Sequence, residues 1–124
     1  MIYLCTNQEL LFTDVFEHIT PDKALEIMSG WNRIQVDTET NGSACHLNDL
    51  LCVQFGNKKA DIQIVVDTST VDIRIFKTLM ETKLLIFQNG KFDIQFFYNY
   101  GIIPRKIYDT MIVEQLLYLG YKHL

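Results

Sequence analysis

The chain has 124 residues, of which 48% are hydrophobic and 21% charged, and its formal net charge is −4. That composition suits one soluble globular domain with length for a single core, and the acidic balance excludes a broad basic footprint for nucleic acid. No apolar run approaches the ~20 residues of a membrane span, and Met1-Ile2-Tyr3-Leu4 lacks the features of a signal peptide, so a cytoplasmic location is expected. Cys5, Cys45 and Cys52 are odd in number and form no CxxC pair, which reads as reduced, structural thiols.

In chain order, Ile2–Cys5 reads as a short strand. Thr20-Pro21-Asp22 is a helix start, with Thr20 as N-cap and Pro21 in the first helical position, and Gly30 is the stop after Ser29. Arg33–Glu39 is the next strand, burying Ile34 and Val36 on the face opposite Asp37 and Glu39. Leu50–Phe55 and Ile62–Asp67 form a hairpin through Gly56-Asn57-Lys58-Lys59, whose lysines read as a solvated tip. Ser69 or Thr70 then caps a helix with Val71, Ile75, Phe76, Leu79 and Met80 at a 3.6 period. Leu84–Phe87 is a continuous apolar strand, Asn89-Gly90 turns into an aromatic helix of about 91–99, and Gly101 closes it. Lys106–Tyr108 is a last short strand, and Asp109 or Thr110 caps a helix ending near Gly120. The resulting expectation is an α/β fold with a mixed sheet of about five strands, the first three antiparallel, flanked by helices. The Arg33–Glu39 strand would be central.

The chemistry concentrates where strands end. Asp37 and Glu39 finish one strand and point the same way, so their charges lie side by side. Asn89 follows the neighbouring strand, and Asp93 sits in the first turn of the next helix. Open α/β sheets form their sites at such strand ends. Three carboxylates without His or Cys are hard oxygen ligands suited to Mg2+ or Mn2+. Taken singly, Asp37 also suits a turn and Asp93 also suits a helix dipole.

"VDTET" (36–40), "LLCVQFG" (50–56), "QNGKFDIQFFYNYGI" (88–102) and "YDTMIVEQLL" (108–117) together resemble the DEDD 3'-5' exonucleases. The likeness is strongest to the proofreading domain of DNA polymerase I-type enzymes, in a bacterial or phage setting. It covers residues 31–124 and implies a ribonuclease H-like fold and two-metal phosphodiester hydrolysis. By the resemblance, Asp37 bridges both ions, Glu39 holds the nucleophile-side ion and Asp93 binds the second through water. Thr38, Thr40 and Asn89 fall where the family touches the 3'-terminal nucleotide or steadies the carboxylates. For the threonines β-propensity, and for Asn89 helix capping, are the structural alternatives.

Two departures from the family pattern follow. Ser43 stands near the place of an apolar wedge between terminal bases, with Leu47 the nearby substitute. The third motif, Tyr or His followed four residues later by Asp, is missing from the last 25 residues: Tyr100, Tyr108, Tyr118, Tyr121 and His123 all fail. The chain is therefore expected to be a partial exonuclease domain over 1–124, continued by a polymerase or nuclease segment and inactive alone. Its expected partner is the single-stranded 3' end of DNA, with RNA as the alternative substrate of an RNase D-like enzyme. A non-catalytic nucleic-acid-binding or scaffold module is the rival of another class. Exposed apolar residues of the last helix, Ile112, Leu116 and Leu117, make a homo-oligomer the expected assembly.

Overall fold

The computed structural model describes residues 1–9 and 15–118. Among them the elements run β1 (Ile2–Cys5), β2 (Glu17–Ile19), α1 (Pro21–Ser29), β3 (Arg33–Thr40), β4 (Leu50–Gly56), β5 (Gln63–Asp67), a 3-10 helix (Ile73–Phe76), α2 (Lys77–Thr82), β6 (Leu84–Phe87), α3 (Gly90–Tyr98), β7 (Lys106–Asp109) and α4 (Thr110–Tyr118). The Thr20 hydroxyl accepts the Lys23 N–H at 3.2 Å, so α1 starts where its residue types require.

One mixed sheet carries the order β2-β1-β5-β4-β3-β6-β7. β3, β4 and β5 form the antiparallel meander, while β6 and β7 add in parallel beyond β3. The sheet thus has seven strands rather than about five. Ile2–Cys5 pairs parallel with β5, and the unforeseen β2 pairs with β1 at the edge. β3 is central among the five strands from β5 to β7, whereas β4 is the middle of the whole sheet.

Pleating divides β3 cleanly. Ile34, Val36 and Thr38 are buried, while Arg33, Gln35, Asp37 and Glu39 are exposed on the other side. The buried side shares one core with Val53, Phe55, Ile64, Val66 and Leu85 of the sheet and with Met28, Phe76, Met80 and Phe97 of the helices. Phe55 meets Phe76 at a ring-centroid distance of 5.2 Å, which fastens the sheet to the segment after β5.

That segment departs from expectation. Ser69 and Thr70 do not cap a helix; their hydroxyls donate to Asp67 at 2.5 and 3.1 Å, and Thr6 donates to the same carboxylate at 2.8 Å. Asp72 is the N-cap, and a 3-10 turn buries Ile73 and Phe76 at three-residue spacing while Ile75 faces out. At the C-terminal end, α4 buries none of its side chains: Ile112, Leu116 and Leu117 are all exposed. The expected helix end near Gly120 lies outside the described residues.

Candidate active site

The site is built at the carboxyl ends of β3, β6 and β7. β6 pairs with β3 through Arg33–Leu84, Ile34–Leu85 and Gln35–Ile86, so the chain leaving Phe87 emerges beside the Asp37–Glu39 end of β3. It turns at Asn89, whose backbone is left-handed at φ 56°, a conformation Asn tolerates better than most residues. Gly90 follows because nothing larger fits: a β-carbon there would lie 2.7 Å from that of Phe87.

Asp109, the last residue of β7, secures this turn. Its carboxylate accepts the N–H groups of Asn89 at 3.1 Å and Gly90 at 2.7 Å, at the start of α3. It also accepts those of Met111 at 3.0 Å and Ile112 at 3.4 Å, in the first turn of α4. One carboxylate therefore joins two helix starts. Burial pushes its pKa up, but the four backbone donors outweigh that and hold the carboxyl below the usual range.

Asp93 lies in the first turn of α3 and is buried. Its carboxylate accepts the hydroxyl of Thr38, which reaches it from the buried side of β3. Burial first, then the charges of Asp37, Asp109 and Glu39, raise its pKa to about 6, against the lowering effect of Thr38. Asp37 and Glu39 stand on the open side of β3, where Asp37 accepts its neighbour Thr38's N–H at 3.0 Å. Cys52 pairs across from Glu39. Burial, then the Glu39 and Asp37 carboxylates, push its thiol up.

The structure thus brings Asp93 to Thr38 and within the field of Asp37 and Glu39, but no three Asp, Glu, His or Cys side chains among the described residues are grouped to hold one metal ion. Alternation along β3 is the reason: Thr38 reaches Asp93 on the covered side, and its neighbours point the other way. Thr38 is buried and bonds a carboxylate, so its position suits steadying Asp93 rather than touching a nucleotide. Thr40 donates to the Gly42 carbonyl at 2.7 Å, inside the turn. The Asn89 side chain makes no capping bond, and the residue is exposed.

Sequence reasoning missed the cleft above the open face. It measures about 580 Å3 and is lined by Asp37 together with Gln35, Gln54, Gln63, Gln88 and Thr110. The glutamines of β3 and β4 share the pleat parity of Asp37, a signal present in the sequence; Gln63 and Thr110 join only through tertiary pairing.

This mixed sheet with its flanking helices has the ribonuclease H-like fold of the solved structures it matches. A family model described as 3'-5' exonuclease matches residues 13–123, and the chain belongs to that family. DNA polymerase I of Aquifex aeolicus (strain VF5) is 32% identical over 112 residues, covering 86% of this chain and 18% of that protein. Among solved structures, Brucella melitensis NrnC matches with a TM-score of 0.64 at 18% identity, over 97% of this chain and 52% of its own. That protein has also been solved with bound Mg2+ and bound to pGG. Escherichia coli RNase D matches with a TM-score of 0.64 at 20% identity, over 74% of this chain and 25% of its own. The chain therefore spans less than a fifth of the polymerase and about half of NrnC.

Proposed function

We propose that this chain is a 3'-5' exonuclease domain acting on the 3' end of single-stranded DNA, the proofreading part of a DNA polymerase, with Asp37, Glu39 and Asp93 as its metal ligands. The observation that carries the reading is Asp93, at the start of α3, within the field of the Asp37 and Glu39 carboxylates that end β3, in a chain of the exonuclease family. The 32% identity to a DNA polymerase I favours DNA over RNA, since the RNase D and NrnC likenesses are of fold.

The donor set fits Mg2+ or Mn2+ by its chemistry, carboxylate oxygens without imidazole. When bound, two such ions neutralise the developing charge of phosphodiester hydrolysis and activate water. The chain's own residues do the rest. Asp37 and Glu39 present adjacent charges that a divalent cation offsets. Thr38 fixes the direction of the Asp93 carboxyl, and the glutamines beside Asp37 offer neutral hydrogen-bonding groups to a nucleotide. No Tyr or His in the last 24 residues precedes an Asp by four, so these residues alone are read as hydrolysing DNA slowly or not at all. The exposed Leu116 and Leu117 favour self-association.

The test is binding of 3'-hydroxyl single-stranded DNA and RNA with Ca2+ in place of Mg2+, followed by Mn2+ and product analysis. Metal-dependent binding of the DNA 3' end, lost in Asp37→Asn, supports the reading. Preference for RNA redirects it to an exoribonuclease, and binding indifferent to metal and to Asp37→Asn identifies a non-catalytic module.

A further inference from the structure

A second cleft, of about 380 Å3, opens at the other end of β3, between the turn after α1 and the β4–β5 hairpin. Trp31, Arg33, Asn57, Lys58, Lys59 and Asp61 line it together with Gly30 and Asn32. In a chain of net charge −4 this cleft gathers three cations against one carboxylate. None of the three forms a salt bridge among the described residues, where the ion pairs are Lys23–Glu26, Arg74–Asp72 and Lys77–Glu81. Asp61 is already engaged: the Asn57 amide donates to it at 2.5 Å and, with Lys59 contributing, holds its carboxyl below the usual range.

The hairpin is fixed by the same Asn57. Its side-chain oxygen accepts the N–H groups of Asp61 at 3.1 Å and Ile62 at 3.2 Å, and its carbonyl accepts that of Ala60 at 3.0 Å. The two lysines between them therefore sit on an ordered loop, which lowers the entropy lost when they engage a ligand. Trp31 packs partly against the core and contributes the aromatic wall. Arg33 shares the open side of β3 with Asp37, four residues or ~13 Å along the strand.

Cations that form no ion pair, beside a half-buried aromatic side chain, are the combination that holds a nucleic-acid strand by phosphate and base together. We propose that the Trp31–Arg33–Lys58–Lys59 cleft binds the sugar-phosphate backbone of a single nucleic-acid strand, with Trp31 as a stacking surface. The identity of the ligand as a strand rests on the exonuclease reading above; the cation-lined cleft does not. An acidic protein with a carboxylate site needs such a local contact, because the field around Asp37 and Glu39 repels phosphate.

Trp31 is the chain's single tryptophan, so its fluorescence reports this cleft directly. The experiment titrates a 12-residue oligothymidylate into the protein in EDTA at low salt, with thymidine monophosphate and inorganic phosphate as separate arms. Wild type is expected to show saturable quenching by the oligonucleotide. The surface variant Lys58→Ala/Lys59→Ala should weaken it about tenfold or more and reduce the salt slope by about 1.4. Absence of saturable quenching, or equal binding by the double lysine variant with unchanged circular dichroism, overturns the proposal. Mononucleotide or phosphate binding as tightly as the oligonucleotide overturns the strand as ligand. Because every arm is metal-free, these failures leave the carboxylate assignment untouched, and a failed metal titration leaves this cleft untouched.

Discussion

The Thr38 hydroxyl, on the covered side of β3, donates a hydrogen bond to the buried carboxylate of Asp93 on α3, 55 residues further along the chain. It ties the strand that carries two exposed acids to the helix that carries the third. Replacing Thr38 with Val keeps shape and removes the donor. Urea denaturation at pH 8 should then show a loss of about 1–3 kcal/mol, because an ionised, buried carboxylate is left short of a partner. At pH 5 the loss should be smaller, since the protonated carboxyl is less costly to bury. Equal loss at both values would mean that the bond does not serve the charged form.

Asp93 itself makes stability depend on pH. Its folded pKa is about 6 against an ordinary 3.8, so the folded chain holds this proton more tightly than the unfolded chain does. The contribution is fully present below pH 3.8 and is lost as pH rises through about 6, by up to ~3 kcal/mol. Asp93→Asn should remove that slope and be the more stable protein at pH 8 in the absence of metal. The comparison is best made as a difference between the two proteins from pH 5 to 8, because Asp67 and Asp109, both held low, lose stability only under more acid conditions.

Asp109 has the opposite sign and a larger structural role. Asp109→Ala would strip acceptors from four N–H groups at two helix starts. The expected cost is about 2–4 kcal/mol, read as a drop in the urea midpoint. Hydrogen exchange should quicken at the starts of α3 and α4 before it does in β4. A variant within experimental error of wild type would mean water replaces the carboxylate without cost.

Much of this was legible because local chemistry and tertiary structure agree. β3 announced itself by Ile34 and Val36 alternating with Asp37 and Glu39, and α1 by Thr20-Pro21. β6 was correctly placed beside β3, and Asp93 in the first turn of α3. What stayed hidden depends on partners far along the chain. β2 is a three-residue edge strand, Glu-His-Ile, too short for any period. Ser69 and Thr70 are an exception, since they look like caps but are claimed by Asp67 only two and three residues back, a local competition that Thr6 joins from across the sheet. Asp109 was read as a candidate cap for α4, but its hold on the start of α3, 19 residues back, needed the β6–β7 pairing. Lys58 and Lys59 are exposed at the hairpin tip, as their sequence suggests, but the cleft they share with Trp31 and Arg33 needed the fold.

The assignment of the three carboxylates is tested most directly by titrating Mn2+ into the protein at pH 7.5 and counting free ion by electron paramagnetic resonance. Melting temperature is followed in the same samples. Wild type should bind at least one ion and melt higher as Mn2+ is added, since a ligand that binds only the folded state stabilises it. Asp37→Asn should lose most of both responses and, without metal, melt above wild type because one of two adjacent like charges is gone. Asp93→Asn should weaken binding less than Asp37→Asn does. Equal Mn2+ binding and equal melting shifts in wild type and Asp37→Asn would contradict the account.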